Sequence, residues 1–127
     1  MTRSVLVVDD AAFMRMLLRD ILSIGGYEVH EAVDGDDAVM RYFELLPDVV
    51  TMDVTMPGRD GIEAVAAIVE GDPSARVIVV SALGDHDVVQ SALDAGAFGY
   101  LVKPFQPDNV LALVQGALEA RPAGTAG

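Results

Sequence analysis

The sequence predicts a doubly wound α/β domain, in which a parallel sheet of five strands is covered by helices on both faces. Short β-branched runs recur along the chain with little alternation of polar and apolar residues, as is typical of strands buried on both faces. Stretches with apolar residues at helical spacing lie between these runs. Such regular alternation of strand and helix favours right-handed βαβ units and a parallel sheet.

Three of the predicted strands are strongly apolar. They are Ser4–Asp9 (SVLVVD), Asp48–Asp53 (DVVTMD) and Arg76–Ser81 (RVIVVS). Two weaker candidates are Glu28–Ala32 and Gly99–Lys103. The five strands start at residues 4, 28, 48, 76 and 99, which leaves room for a helix after each of them.

The helices are predicted from apolar residues that recur every three or four positions. These residues are Phe13, Leu17, Ile21 and Ile24; Ala38, Phe43 and Leu46; Ile62, Val65 and Val69; Val88, Ala92 and Leu93; and Val110, Leu113, Val114 and Leu118. In the first helix we expect Phe13, Met14, Met16 and Leu17 to lie in the core, with methionine filling gaps.

Glycine and proline mark the ends of the predicted helices. Gly25-Gly26, Pro47, Gly71–Pro73 and Gly96 follow the first four helices in turn. Asp108 stands at the start of the fifth helix, where a carboxylate interacts favourably with the helix dipole.

Length and composition favour one soluble domain. The chain has 127 residues and 52% hydrophobic residues, enough for one core and too apolar for a disordered chain. We expect a single domain over residues 1–121 and a flexible tail over residues 122–127. The longest apolar stretch, Ala64–Val69, is far too short to span a bilayer, and the chain opens without a basic and apolar leader. A monomeric, cytoplasmic protein is therefore expected.

Charge and cysteine content exclude several classes of function. Twenty acidic against eight basic residues give a net charge of −12, which repels nucleic acids and anionic membranes, so neither is an expected partner. The chain has no cysteine, which excludes disulfides, thiolate zinc sites and cysteine nucleophiles. Lys103 is the only lysine.

Polar residues follow four of the five predicted strands. Asp9 and Asp10 follow the first strand, Asp53 ends the third, Ser81 ends the fourth and Lys103 ends the fifth. Ligands of open parallel sheets bind beyond the carboxyl ends of the strands. The sequence therefore predicts that these side chains meet at one edge of the sheet.

The chemistry of this set indicates a magnesium site on a protein that handles phosphoryl groups. Three carboxylates repel one another unless a cation compensates, and oxygen ligands without cysteine or paired histidines favour Mg²⁺. Lys103 and Ser81 suit the oxygens of a phosphoryl group. Asp53 can serve as the nucleophile that forms an acyl phosphate.

Four sequence motifs resemble those of a known protein family. They are VLVVDD at Val5–Asp10, DVVTMDVTMPG at Asp48–Gly58, VSA at Val80–Ala82 and YLVKPF at Tyr100–Phe105. In this order and spacing, the chain from Val5 to Leu118 resembles the receiver domains of two-component signalling, and among them the single-domain chemotaxis response regulators of the CheY type. The resemblance implies a flavodoxin-like fold with strand order 2-1-3-4-5.

The resemblance also implies which residues bind the phosphoryl group and the metal. Asp53 would be the phosphoacceptor. Asp10, Asp53 and the main-chain carbonyl of Thr55 would bind Mg²⁺, with Asp9 acting through water.

Four more positions match residues of the family, two of them its switch residues. Ser81 would be the switch hydroxyl and Lys103 the lysine that pairs with the phosphoryl group. Tyr100 would turn inward on activation, and Pro104 would follow a cis peptide bond. Taken alone, Tyr100 would suit simple packing, and Asp9 and Asp10 would suit a helix N-terminus.

The implied function is a phosphorylatable switch rather than an enzyme that turns over a substrate, with intrinsic phosphotransfer and slow autodephosphorylation. A sensor histidine kinase of the chemotaxis type would donate the phosphoryl group, and a phosphatase would remove it. The chain ends soon after the fifth helix, so we expect the signal to leave through a separate protein. A flagellar motor switch protein would bind the face of the fourth helix, fifth strand and fifth helix.

Three alternatives remain at this stage. The chain could pass the phosphoryl group onward to a histidine phosphotransfer domain. It could be a Mg²⁺-dependent phosphohydrolase with an aspartyl-phosphate intermediate, but such enzymes carry the acceptor after their first strand and need a cap. It could bind a nucleotide, but DDAAF follows the first strand where a glycine-rich phosphate loop would be needed.

Overall fold

The computed structural model describes residues 2–55 and 60–120 and contains five strands and five helices in alternation. The strands are β1 (Ser4–Val8), β2 (Glu28–Ala32), β3 (Val49–Asp53), β4 (Val77–Ala82) and β5 (Gly99–Lys103). The helices are α1 (Ala12–Ile24), α2 (Gly35–Leu45), α3 (Asp60–Gly71), α4 (His86–Asp94) and α5 (Pro107–Glu119). Within these residues, none of the helices combines the length and apolar character needed to cross a membrane. The predicted tail, residues 122–127, lies outside the described residues.

All five strands pair in parallel, in the order β2-β1-β3-β4-β5. The predicted fold class and strand order are therefore confirmed. Because β2 and β3 lie on opposite sides of β1, the strand order reverses between β1 and β3. Val8 is in register with Met52 there, so the residues that follow β1 lie beside the end of β3. This reversal point is where open α/β sheets bind their ligands.

Two cores lie on the two faces of the sheet because successive residues of each strand point to opposite sides. In β1, Leu6 and Val8 contact one core while Val5 and Val7 contact the other. The first core takes side chains from α2, α3 and α4, namely Ala38, Tyr42, Ala64, Val65, Ile68 and Ala92. The second core takes them from α1 and α5, namely Leu18, Ile21, Leu22, Val110, Val114 and Ala117.

The prediction for the buried face of α1 is wrong in part. Phe13 is 67% exposed, and Met16 and Leu17 are exposed as well, whereas Leu18 and Leu22 are buried. The helix carries two apolar stripes, and the stripe with Leu18 and Leu22 packs against the sheet and α5. Helical spacing cannot tell these stripes apart, because both satisfy the same period.

The same kind of error affects the end of α2. Phe43 is partly exposed, and Leu46 lies just beyond the helix in the left-handed conformation, with φ of 49°. The predicted helix ends are otherwise confirmed. Gly25 caps α1, Gly96 follows α4 with φ of 111°, and Asp108 lies in the first turn of α5.

Candidate functional site

Three acidic side chains meet at the reversal point of the sheet. Asp9 follows β1 directly and Asp53 is the last residue of β3. Both are only 2% exposed, whereas Asp10 is exposed. Carboxylate oxygens of Asp9, Asp10 and Asp53 lie within 4.8 Å of one another. The structure thus brings together the three acids that the sequence predicted to converge.

Burial makes the charged form of Asp9 unfavourable. The pKa of Asp9 is raised to about 6, chiefly by desolvation and also by the nearby charge of Asp53. The main-chain N–H of Ala11, which donates to Asp9 Oδ1 at 2.8 Å, and the charge of Lys103 both lower it. Because burial and the charge of Asp53 make ionised Asp9 unfavourable, a cation placed among these oxygens would be strongly favoured.

Lys103 brings a positive charge from the end of β5. Its Nζ lies 3.5 Å from Asp53 Oδ2 and 3.9 Å from Asp9 Oδ2. It donates a hydrogen bond of 3.3 Å to Thr55 Oγ1. The peptide bond between Lys103 and Pro104 is cis, as predicted.

Thr55 occupies one oxygen of Asp53. Its main-chain N–H and its hydroxyl both donate to Asp53 Oδ1, at 2.8 Å and 2.5 Å. The sequence singled out only the main-chain carbonyl of Thr55, and the role of its hydroxyl was missed. A hydroxyl two residues after an acidic side chain is a recognisable turn pattern and could have signalled it. Met56 and Pro57, which complete the motif, lie outside the described residues.

The two predicted switch residues lie on neighbouring strands. The Ser81 side chain, on β4, is fully buried, and its hydroxyl has no hydrogen-bond partner among the described residues. Tyr100, on β5, is 48% exposed. A cavity of about 320 Å³ is lined by Ser81, Leu83 and Tyr100 together with residues of α4. A hydroxyl buried without a partner is costly, so Ser81 is available to a ligand or to a rearranged neighbour.

Arg15 supports the site and was missed by the sequence analysis. From α1 it donates to the main-chain oxygen of Asp9 at 2.7 Å and to Glu31 Oε1 at 3.0 Å. Glu31, on β2, also pairs with Arg19 at 2.7 Å. These contacts fix the segment that carries Asp9 and Asp10. A single arginine in a helix gives no sequence signal for such a role.

Gly61 packs directly beneath Asp53. A Cβ at this position would lie 2.7 Å from the main-chain oxygen of Asp53 and 3.0 Å from Val54 Cα. Both atoms belong to the backbone and cannot move aside cheaply. We expect Gly61→Ala to lower the free energy of unfolding by about 2–3 kcal/mol, measured by chemical denaturation.

Gly116→Ala is the matched control. Gly116 lies within α5, and no heavy atom would lie within 4 Å of an added Cβ. Alanine there should raise the free energy of unfolding by about 0.5–1 kcal/mol, because alanine loses less backbone entropy in a helix. Equal effects of the two substitutions would show that contact with Asp53 is not the cause.

The residues present fit a hard divalent cation. They offer three carboxylates whose oxygens lie within 4.8 Å of one another, and carboxylate oxygens are donors that Mg²⁺ prefers. Lys103 carries a positive charge, and the Ser81 hydroxyl has no hydrogen-bond partner within residues 2–55 and 60–120. Both groups are chemically suited to bind anionic oxygens. The site can therefore combine a carboxylate nucleophile with groups that stabilise a phosphoryl group.

Comparison with known proteins agrees with this chemistry. Residues 5–115 match the family described as response regulator receiver domain. The chain is 54% identical to the chemotaxis protein CheY of Thermotoga maritima over 112 residues, which cover 87% of this chain and 93% of that protein. It is 50% identical to the chemotaxis protein CheY of Bacillus subtilis over 119 residues, or 93% of this chain and 99% of that protein.

A solved structure is similar along most of its length. It is the CheX-CheY-BeF3-Mg²⁺ complex from Borrelia burgdorferi, with a TM-score of 0.86 and 38% sequence identity. The match covers 93% of this chain and 90% of the chain in that complex.

Proposed function

Because the chain belongs to the response regulator receiver domain family, we propose that Asp53 is the residue on which it is phosphorylated. At the level of the family, the chain is a phosphorylatable two-component response regulator of the chemotaxis type. One observation carries the proposal: Asp53 is a buried carboxylate with Lys103 at 3.5 Å and the oxygens of Asp9 and Asp10 beside it.

The proposed reaction transfers a phosphoryl group from a phosphohistidine of a sensor kinase. An oxygen of Asp53 attacks the phosphorus, and the phosphorus–nitrogen bond breaks. The imidazole leaves with the electron pair and takes up a proton, and an acyl phosphate remains on Asp53. Lys103 and the hydroxyl of Ser81 hold the oxygens of the transferred group, and such preorganised charges dominate phosphoryl transfer.

Asp10, Asp53 and the main-chain carbonyl of Thr55 are proposed to hold Mg²⁺, with Asp9 acting through water. The three carboxylates lie close enough to share one cation. When bound, the ion supplies positive charge that neutralises the oxygens of the phosphoryl group. The raised pKa of Asp9 supports this assignment, because burial, together with the charge of Asp53, makes the ionised carboxylate unfavourable without a cation.

The signal is proposed to leave through the surface formed by α4, β5 and α5. The acyl phosphate draws Ser81 and Lys103 toward it, and Tyr100 follows inward, which shifts an existing equilibrium of that surface. A groove of about 610 Å³, lined by Tyr100, Phe105 and Leu113 among others, lies there. The partners are a flagellar motor switch protein and a phosphatase. The relative solved in complex with CheX supports a protein partner.

Intact-protein mass spectrometry tests the chemistry. After incubation with acetyl phosphate and Mg²⁺, the chain should gain the mass of a single phosphoryl group, and chelation of Mg²⁺ should prevent the gain. Hydroxylamine should remove the group, because it cleaves acyl phosphates and leaves serine and threonine phosphates intact. No gain, or a gain that hydroxylamine leaves in place, would contradict the proposal. Steady turnover of a phosphate monoester would indicate a phosphohydrolase instead.

A further inference from the structure

The hydroxyl of Thr55 lies between the two groups that matter most in the proposed reaction. It donates to Asp53 Oδ1 at 2.5 Å, and the Thr55 main-chain N–H donates to the same oxygen at 2.8 Å. A carboxylate oxygen has two lone pairs in its plane, and both hydrogen bonds fall on this one oxygen. Oδ1 therefore accepts two hydrogen bonds, whereas Oδ2 lies 3.5 Å from Lys103 Nζ.

The direction of these hydrogen bonds is fixed by the groups themselves. An ammonium only donates and a carboxylate only accepts. Lys103 Nζ donates to Thr55 Oγ1 at 3.3 Å, so the hydroxyl must give its own proton to Asp53. Thr55 Oγ1 also lies closer to Lys103 Nζ than the carboxylate oxygens Asp53 Oδ2 and Asp9 Oδ2 do, which are 3.5 and 3.9 Å away.

We propose that the Thr55 hydroxyl is a latch of the resting state, which occupies Asp53 Oδ1 and restrains Lys103 until it turns away. The proposal rests on the proposed function of Asp53. A carboxylate that binds a cation with one oxygen and attacks phosphorus with the other needs a free lone pair on each oxygen. Rotation of the Thr55 hydroxyl frees one lone pair of Oδ1, while the Thr55 main-chain N–H keeps its hydrogen bond to that oxygen. Hydrogen bonds to an ionised acceptor are the strong ones, so the latch competes with the cation and with the phosphoryl group. Thr55 is exposed, so its side chain has room to rotate.

Thr55→Val removes the hydroxyl and keeps the shape of the side chain. We expect the affinity for Mg²⁺, measured by isothermal titration calorimetry, to rise about three- to tenfold, as the loss of one typical net hydrogen bond implies. The rate of phosphorylation by acetyl phosphate should rise with it. Thr55→Ser restores the hydroxyl, so it should return the Mg²⁺ affinity to the native range.

These measurements distinguish a failure of the latch proposal from a failure of the proposed function. Unchanged or weaker Mg²⁺ binding by Thr55→Val would overturn the latch, and so would a failure of Thr55→Ser to reverse a gain. If neither the native chain nor Thr55→Val binds Mg²⁺, both proposals fail. If Mg²⁺ binding rises but the native chain gains no phosphoryl group, only the proposed function fails. Thermal melting checks the fold, and Thr55→Ala replaces Thr55→Val if valine lowers the melting temperature.

Discussion

Asp53→Asn is expected to abolish the gain of a phosphoryl group from acetyl phosphate. The amide keeps the shape of the side chain but has no anionic oxygen to attack phosphorus. Of the two buried acids of the site, Asp53 lies closer to Lys103 Nζ, at 3.5 Å against 3.9 Å for Asp9. Intact mass in the presence of Mg²⁺ should show only unmodified protein at times when the native chain is fully modified.

Asp48→Asn is the matched control for this substitution. Asp48 immediately precedes β3, at the end opposite Asp53, and accepts a hydrogen bond of 2.8 Å from the Ser4 main-chain N–H. An amide oxygen can accept the same bond, so this variant should be phosphorylated as the native chain is. Phosphorylation of Asp53→Asn at a comparable rate would place the acceptor elsewhere.

Lys103→Met is expected to slow phosphorylation by acetyl phosphate about 10²- to 10³-fold, the usual cost of removing one preorganised group that stabilises a transferring oxyanion. Lys103 Nζ is within 3.9 Å of an oxygen of both buried acids of the site. Methionine is of similar length but carries no charge. The initial rate of mass gain, measured at saturating Mg²⁺, gives the effect directly.

Arg41→Met is the matched control, because it removes one positive charge, as Lys103→Met does, but on α2. Arg41 lies on α2 and pairs with Asp37 at 3.4 Å, on the solvent side of that helix. A partly exposed pair of this kind contributes little, and the phosphorylation rate should stay within about twofold of native, because Arg41 pairs with Asp37 and not with an acid of the site. A similar loss in both variants would mean that net charge, and not the position of Lys103, controls the rate.

Much of the fold follows from local patterns in the sequence. β-Branched runs without alternation, such as Val5 to Val8, predicted strands covered on both faces, and β1 is buried on both faces. Turn residues set the ends of helices because glycine at Gly96 adopts a positive φ that other residues avoid. These features depend on neighbours in the sequence, so one sequence is enough to predict them.

The buried face of α1 could not be predicted in the same way. Phe13 and Leu18 belong to different stripes of one helix, and both stripes have the period of an amphipathic helix. The choice between them depends on where the sheet and α5 lie, and those contacts join residues far apart in the chain. Tertiary packing therefore decided which apolar residues became core and which remained at the surface.

The same distinction between local sequence patterns and tertiary packing applies to the site. The sequence by itself determined that Asp9, Asp53 and Lys103 meet, because the carboxyl ends of parallel strands lie at one edge of the sheet. Only the tertiary structure decided how they meet. The hydrogen bond from Lys103 to Thr55 joins residues 48 positions apart. Such contacts depend on strand order, register and rotamers to within an ångström, and no local pattern encodes these distances.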